Sequence, residues 1–499
     1  MNNIDEELKL ILDEEQKRII EANEKYIVVS ACPGAGKTYT VVKKIERELK
    51  NIKDFQGIIA CSFSNEAANE LKKRISKSID ISQSYIGTID SFVLKCVIGL
   101  FINRYLKGKN DLTIPIKISN IVFPENTTEI NSMTRLYDKI ERIKLQANAY
   151  CIRWLENLKN GTYEISFPTY LLAAKIIKMG VFNEYFSDRF TTIYIDEAQD
   201  LNFFQHRLIK EIKNNTNTNI VMVGDPNQSI YQFRGARPEL FNDLENQGYH
   251  KYNIDVSVRC HPSIMYYANR IFENLSKKEF ANKRVTIVDS IELEFLQQME
   301  GNVYILTEYN NTAITLYEKF KQDYDIIYSK KLDSNSRDFN LNRDIIEELI
   351  KFYLNYDNVE DKYKYPIEQL MLMVQEINKK IRSDAFRIKG RNIKEYLKET
   401  LCLLNVEIRE ETINEIVNKL EDEKYKYAYY VCDRNNRIMT IHSSKGLEAK
   451  NIVIVLESNR IDETFKNKLF VAITRGIENV YIYCADNFAG KEYIRSLLA

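Results

Sequence analysis

Two short stretches hold residue types that could manage a phosphate. In "SACPGAGKTYT" (30–40), Gly34 and Gly36 lead into Lys37 and Thr38. A glycine-rich turn at a helix start aims backbone N–H groups at an anion, and the helix dipole adds to the attraction. Lys37 would reach phosphate oxygens and Thr38 would ligate magnesium. Ala31 stands where the general pattern Gly-x-x-x-x-Gly-Lys-Ser/Thr has its first glycine. Taken alone, the stretch fits a nucleotide cradle and a chance glycine-rich turn equally well. In "TTIYIDEAQD" (191–200), Asp196 and Glu197 close an apolar run. Asp196 suits holding a metal and Glu197 activating a water; the plain alternative is a helix cap followed by a first-turn glutamate. Found in this order, each after a strand, the two stretches point to a P-loop NTPase.

The elements that must position them follow a rhythm of buried strand, turn and amphipathic helix. "YIVVSA" precedes "KTYTVVKKIEREL", "GIIACSF" precedes "NEAANELKKRISKSI", and "TTIYIDEA" precedes "FFQHRLIKEI". "TNIVMVGD" then leads into a loop rich in Gln and Tyr. Apolar strands alternating with helices predict a parallel α/β sheet, with ligands at the strands' carboxyl ends. Between about 101 and 187 the rhythm stops, and segments such as "MTRLYDKIERIKLQANAYCIRWLENLKN" read as helical. It resumes with "GNVYILTE" and "NTAITLYEKF", pauses over a helical stretch, and ends with "RIMTIHSS", "NIVIVLES" and "NVYIYCAD". The expected organisation is a first sheet domain from 1–100 and 188–258 with a helical insertion at 101–187. A second sheet domain is expected from 259–330 and 433–499, with a short helical insertion at 331–432.

Composition agrees with a globular protein of several units: 499 residues, 44% hydrophobic and 28% charged, with a formal net charge of +0. No global basic field announces a polyanion, so a nucleic acid would need a local patch. The eight cysteines are scattered without a C-x-x-C pair, and the four histidines show no zinc-ligand spacing. Metal chemistry is therefore expected to be magnesium with carboxylate and phosphate. The absence of a long apolar run and the polar, acidic N-terminus predict a cytoplasmic protein with no membrane partner.

Further stretches narrow the class. "LDEEQ" (12–16), "SFSNEAANELKKRI" (62–75), "IGTIDSF" (86–92), "VGDPNQSIYQFRGA" (223–236), "VSVRCHPS" (256–263), "MTIHSSKGLEAKNIVIV" (439–455) and "FVAITRG" (470–476) occur in that order. Together with the two stretches above, they resemble the motifs of the UvrD/Rep family of superfamily 1A DNA helicases, nearly end to end. An alanine at the first loop position is common in that family. The resemblance implies two RecA-like domains with an ATP cleft between them. It implies ATP and Mg2+ as cofactors and movement 3′-to-5′ on single-stranded DNA from duplex ends or junctions.

Residue by residue, the resemblance implies a nucleotide site of Gln16 (adenine edge), Ala31, Cys32, Pro33, Gly34, Ala35, Gly36, Lys37, Thr38, Tyr39 and Glu448 (ribose). Thr38 and Asp196 would hold the metal, Glu197 would activate water, and Gln228 would sense the γ-phosphate. Arg259 and Arg475 would be arginine fingers. Phe63, Thr88, Tyr231, Phe233, Arg234 and His442 would lie along the DNA path. Three residues depart from the family pattern: Phe233 replaces a tryptophan, Asp90 puts a carboxylate where a DNA-contacting histidine is usual, and Val258 replaces an adenine-stacking tyrosine. The compact length, the small inserted lobes and the "IGTIDSF" stretch without a histidine most resemble the helicase-like subunits of Gabija antiphage systems, which pair with an OLD-family ATP-dependent endonuclease. The expected function is thus a DNA translocase working with such a nuclease, docked through an inserted lobe. A free-standing repair helicase and a DNA-end-sensing regulatory ATPase are the alternatives.

Overall fold

In the computed structural model the described residues are 14–99, 183–328 and 392–499 apart from isolated positions, with short stretches between. Most of the blocks at 101–187 and 331–432, Trp154 included, and Leu12 and Asp13 of "LDEEQ" lie outside the described residues. By contacts the chain divides into two units, Met1–Ser276 with Ile461–Thr474, and Lys277–Arg460 with Arg475–Ala499.

In the first unit, β1 (Tyr26–Ala31), β2 (Gly57–Ser62) and β3 (Tyr85–Thr88) come early in the chain. Three short strands, β4 (Ile116–Lys117), β5 (Leu158–Lys159) and β6 (Thr162–Glu164), form a small sheet of their own. Then β7 (Phe190–Ile195), β8 (Asn219–Gly224) and β9 (His250–Ile254) complete a six-stranded parallel sheet in the order β3-β2-β7-β8-β1-β9. The interior strands are apolar on both faces because both faces are covered. Ile27 and Val29 of β1, Tyr194 of β7 and Val221 and Val223 of β8 pack in one core. Their neighbours Val28, Ile193, Ile195, Ile220 and Met222 pack in the other. This alternation follows from the two-residue period of a strand.

The second unit holds β10 (Val285–Val288), β11 (Val303–Thr307), β12 (Asp325–Ile327), β13 (Arg437–Thr440), β14 (Ala449–Leu456) and β15 (Gly476–Cys484). They pair in the order β10-β15-β14-β11-β13-β12, again all parallel. The expected α/β class with two parallel sheets is what the chain forms. Between β12 and β13 a separate apolar core joins Leu332, Phe339, Ile346, Tyr396, Leu397, Ile413 and Leu420.

One reading is corrected. "WLENLKN" reads as the end of a helix, but Leu158–Lys159 is a strand paired antiparallel with Thr162 and Tyr163. The two residues between in sequence, Asn160 and Gly161, are the dipeptide that most favours a two-residue hairpin.

Candidate functional site

Strand β1 ends at Ala31, and the helix Lys37–Leu49 starts six residues on. The turn between them is possible because Gly34 and Gly36 take φ of 70° and 74°, a region that costs other residues a steric penalty. Gly34 has a second reason to be glycine. A Cβ there would lie 2.4 Å from Arg259 Cβ and 2.8 Å from Ser257 Oγ. The segment 257–259 lies directly on the loop, and the Val258 N–H donates to Gly34 O at 3.0 Å. Gln16, buried on the helix Glu14–Glu21, braces the loop from another side by donating Nε2 to Ala35 O at 2.9 Å. Gly34→Ala is therefore expected to weaken ATP binding at least tenfold through the displaced loop, roughly the result of 1–3 kcal/mol of backbone strain. Isothermal titration with a non-hydrolysable ATP analogue checks it.

Helix N–H groups of the first turn lack intrahelical partners and face the site. Lys37 folds back, its Nζ 3.4 Å from Ala31 O. The Thr38 hydroxyl donates to Asp196 Oδ2 at 3.1 Å, so residues 158 apart in sequence meet where strands β1 and β7 end. Burial, with repulsion from Glu197 second, pushes the Asp196 carboxyl up to about 6 against the pull of Lys37 and the Thr38 bond. A buried carboxylate beside a hydroxyl and a lysine fits a magnesium ion, which uses one or two protein oxygens and completes its shell with phosphate and water. Among the described residues no group of three or more His, Cys, Asp and Glu side chains gathers as an all-protein metal cage.

Glu197 has φ of 56°, and among the described residues it alone is a non-glycine with positive φ. Such strain persists only where the surroundings enforce it, and here several bonds do. The Glu197 N–H donates to Asp196 Oδ1 at 2.9 Å, and Gln199 Nε2 donates to Glu197 Oε2 at 2.7 Å. Gln199 in turn accepts the Asp225 N–H at 3.0 Å, and Asp225 Oδ2 accepts Gln228 Nε2 at 2.7 Å. Gln199 and Asp225 are missing from the sequence-derived set. Asp225 was signalled by its place at the end of the apolar run "NIVMVGD", as Asp196 was by "TTIYID".

From Gln228 the chain runs on to an aromatic cluster. Phe63 and Tyr231 stack with ring centroids 4.8 Å apart and 22° between planes. Phe233 lies 6.2 Å from Tyr231, and the Arg234 guanidinium sits over both rings at 5.6 and 5.7 Å. Phe233 is 54% exposed. Thr88 caps the helix Ile89–Phe92, accepting the Ser91 N–H at 3.3 Å. Asp90 does not sit on that surface as a bare carboxylate. It accepts the Tyr170 hydroxyl, which in turn accepts Gln205 Nε2 at 2.8 Å, and burial holds its carboxyl above the usual range. Its carboxylate is thus engaged within the first unit.

The first unit therefore gathers Gln16, residues 31–39, Asp196, Glu197, Gln228 and Arg259, with Phe63, Thr88, Tyr231, Phe233 and Arg234 on the same unit. Val258 is 64% exposed. His442, Glu448 and Arg475 belong to the second unit. There His442 is half-buried in the turn after β13 and Glu448 is exposed before β14. Arg475 is buried, donating to Leu447 O at 3.5 Å.

Residues 16–234 match the family model of an AAA domain, and residues 436–483 match that of a UvrD-like helicase C-terminal domain. The chain is 27% identical to the Gabija protein GajB of Bacillus cereus (strain VD045), over 95% of each chain. It is 24% identical to the ATP-dependent DNA helicase Rep of Buchnera aphidicola subsp. Baizongia pistaciae, over 60% of this chain and 49% of that protein. It is 27% identical to a probable DNA helicase of Mycoplasma pneumoniae, over 50% of this chain and 54% of that one. The chain thus matches about half the length of these two helicases and nearly all of the Gabija protein.

Proposed function

The chain belongs to the UvrD/Rep-type family of ATP-dependent DNA helicases, and from that premise we propose that it is a 3′-to-5′ translocase on single-stranded DNA, serving antiphage defence with an endonuclease partner. One observation carries the motor reading. A single segment, Asp225–Arg234, bonds to Gln199, the partner of Glu197, at one end and bears Tyr231, on which Phe63 stacks, and Phe233 at the other. A change at the phosphates thereby has a short covalent path to a surface suited to stacking bases. Base–aromatic stacking grips any sequence because every base has a π-face.

In this reading the loop N–H groups and Lys37 bind the triphosphate, Thr38 and Asp196 hold Mg2+, and Glu197 takes the proton of the attacking water. Magnesium, when bound, neutralises charge on the phosphates. Gln228 senses the γ-phosphate, Arg259 and Arg475 stabilise the transferring group, Gln16 reads adenine, and Glu448 meets the ribose. Thr88, Arg234 and His442 join the aromatic residues on the strand. Unwinding opposes roughly 1.4 kcal/mol of stacking per base-pair step, so it needs an energy-coupled stroke.

Phe233→Ala is expected to lower single-strand affinity about 5- to 150-fold, from ~1–3 kcal/mol per stacked base. Hydrolysis without DNA should stay unchanged. Fluorescence anisotropy with oligonucleotides of two unrelated sequences measures it, and a large difference between the sequences would contradict the reading. Affinity should also fall steeply with salt, as counterion release requires.

The defence role rests on the nearly full-length match to a Gabija protein. The proposed partner is an OLD-family ATP-dependent endonuclease docked on an inserted helical lobe, and the DNA is a duplex end or junction. Among the described residues no helix is long and apolar enough to cross a membrane. The proposed action on DNA with an endonuclease is a cytoplasmic one. Co-purification with the product of the adjacent gene, followed by phage plating with and without both genes, tests this. Unaltered plating with no complex would favour a free-standing helicase.

A further inference from the structure

Gln199 is fully buried and its one amide faces two machines. Its Nε2 donates to the Glu197 carboxylate at 2.7 Å, while its Oε1 accepts the Asp225 N–H at 3.0 Å. Both ends of the amide are spent, so neither the orientation of the group nor its position can change without breaking one bond. Its backbone is held as well: the Ser229 hydroxyl donates to Gln199 O at 3.4 Å. Space around the amide is equally restricted. A Cβ at Gly224 would stand 2.4 Å from Gln199 Oε1 and 3.1 Å from Gln199 N.

The segment that Gln199 grips is the one leading to the stacking surface. Asp225 holds Gln228 at 2.7 Å, and Ser229 O accepts Asn467 Nδ2 at 2.8 Å. Tyr231, Phe233 and Arg234 follow within a few residues. At its other end Gln199 holds a glutamate whose backbone is already strained at φ 56°. A strained residue has a nearby relaxed alternative, so a small pull on its side chain is enough to change its aim.

We infer that Gln199 is a positioning residue that transmits occupancy of the Tyr231–Phe233 surface to Glu197, so that the water-activating carboxylate is aimed only when a strand is bound. The inference rests on the proposed reading that DNA engages this surface. Gln199 touches neither phosphate nor base in this role. It acts through Glu197 alone, with Asp225 as its input. Because the amide both donates and accepts, glutamate at 199 would keep the bond from Asp225 and lose the one to Glu197. Methionine, close in volume, would lose both.

The test measures ATP hydrolysis by the full chain with and without a single-stranded oligonucleotide, beside the affinity for a non-hydrolysable ATP analogue. Gln199→Met and Gln199→Glu should each lower the stimulated-to-unstimulated ratio of kcat on the order of 10- to 100-fold, the usual cost of a misaimed catalytic group. Analogue affinity should stay within about twofold of wild type. Gly224→Ala displaces the amide while leaving Gln199 chemically intact, and should lower the same ratio; it carries the comparison if a Gln199 variant does not fold. In single turnovers, Gln199→Met added to Glu197→Gln should cause no further loss, because the two act as one unit.

A wild-type ratio in Gly224→Ala and in either folded Gln199 variant would overturn the inference. So would an equal fall in analogue affinity and turnover, which marks a merely structural residue, or a full additional loss in the double variant. If wild type itself is not stimulated by DNA, the translocase reading fails first and this inference with it.

Discussion

Glu197→Gln should lower ATP turnover by roughly 10²–10⁴-fold, the range that general-base catalysis contributes, while nucleotide affinity stays near wild type. The substitution is nearly isosteric and removes only the capacity to accept the proton of water. The backbone at φ 56° and the Glu197 N–H bond to Asp196 Oδ1 do not depend on the lost charge. Lys37→Ala should behave in the opposite way. In the proposed role it removes a cation that meets the phosphates in ground state and transition state alike, so affinity should fall as well as rate. Filter binding of labelled ATP, paired with a steady-state phosphate-release assay, separates the two signatures. Equal affinity and turnover in either variant and wild type would refute the assignment of that residue.

The contrast between what was legible in the sequence and what was not follows burial. The interior strands of both sheets, such as "YIVVSA", "NIVMVG" and "NIVIVL", read directly because a strand covered on both faces is a continuous apolar run. In the two six-stranded sheets the strands without such a run, β3, β9, β10 and β12, are the outermost. Edge strands are short and polar as a rule. β9 reads "HKYNI" with only Ile254 buried, so its pattern carries little apolar signal.

The site divides along a similar line. Lys37, Thr38, Asp196 and Glu197 stand in two contiguous stretches, and neither stretch alone singles them out; it is their order, each after an apolar strand, that does. The bond from Gln16 to Ala35 O and the packing of Arg259 on Gly34 join residues far apart in sequence, and only a resemblance could suggest them. The bridge from Glu197 through Gln199 to Asp225 had no local signal in its amide, since a buried glutamine reads like any other until both partners are placed. The role of Asp90 has no local signal for the same reason: its partner Tyr170 lies 80 residues away.

Arg259→Lys should cost on the order of 10³-fold in ATP turnover, the lower end of what an arginine finger contributes to phosphoryl transfer. The backbone of Arg259 is fixed against the phosphate loop by the Val258–Gly34 bond at 3.0 Å and by the close approach of its Cβ to Gly34. A side chain leaving that point starts beside the cradle, so its reach is set by the chain's own geometry. Lysine keeps the charge and loses the planar fork that spans two phosphate oxygens, and the deficit should therefore appear in kcat more than in KM. Arg475→Lys should differ in kind. Arg475 is 2% exposed and donates to Leu447 O, with its own carbonyl accepting the Ala449 N–H at 3.1 Å. Trading a buried guanidinium for an ammonium leaves bonds unmade, at about 1–3 kcal/mol for each buried polar group left unsatisfied. The proposed finger role adds a loss of turnover to that loss of stability. Thermal unfolding followed by DNA-stimulated ATPase at a temperature where both variants are folded distinguishes the two contributions. Near-full activity in folded Arg259→Lys would remove Arg259 from the catalytic set, and a folded, fully active Arg475→Lys would reduce Arg475 to a structural residue of the second unit.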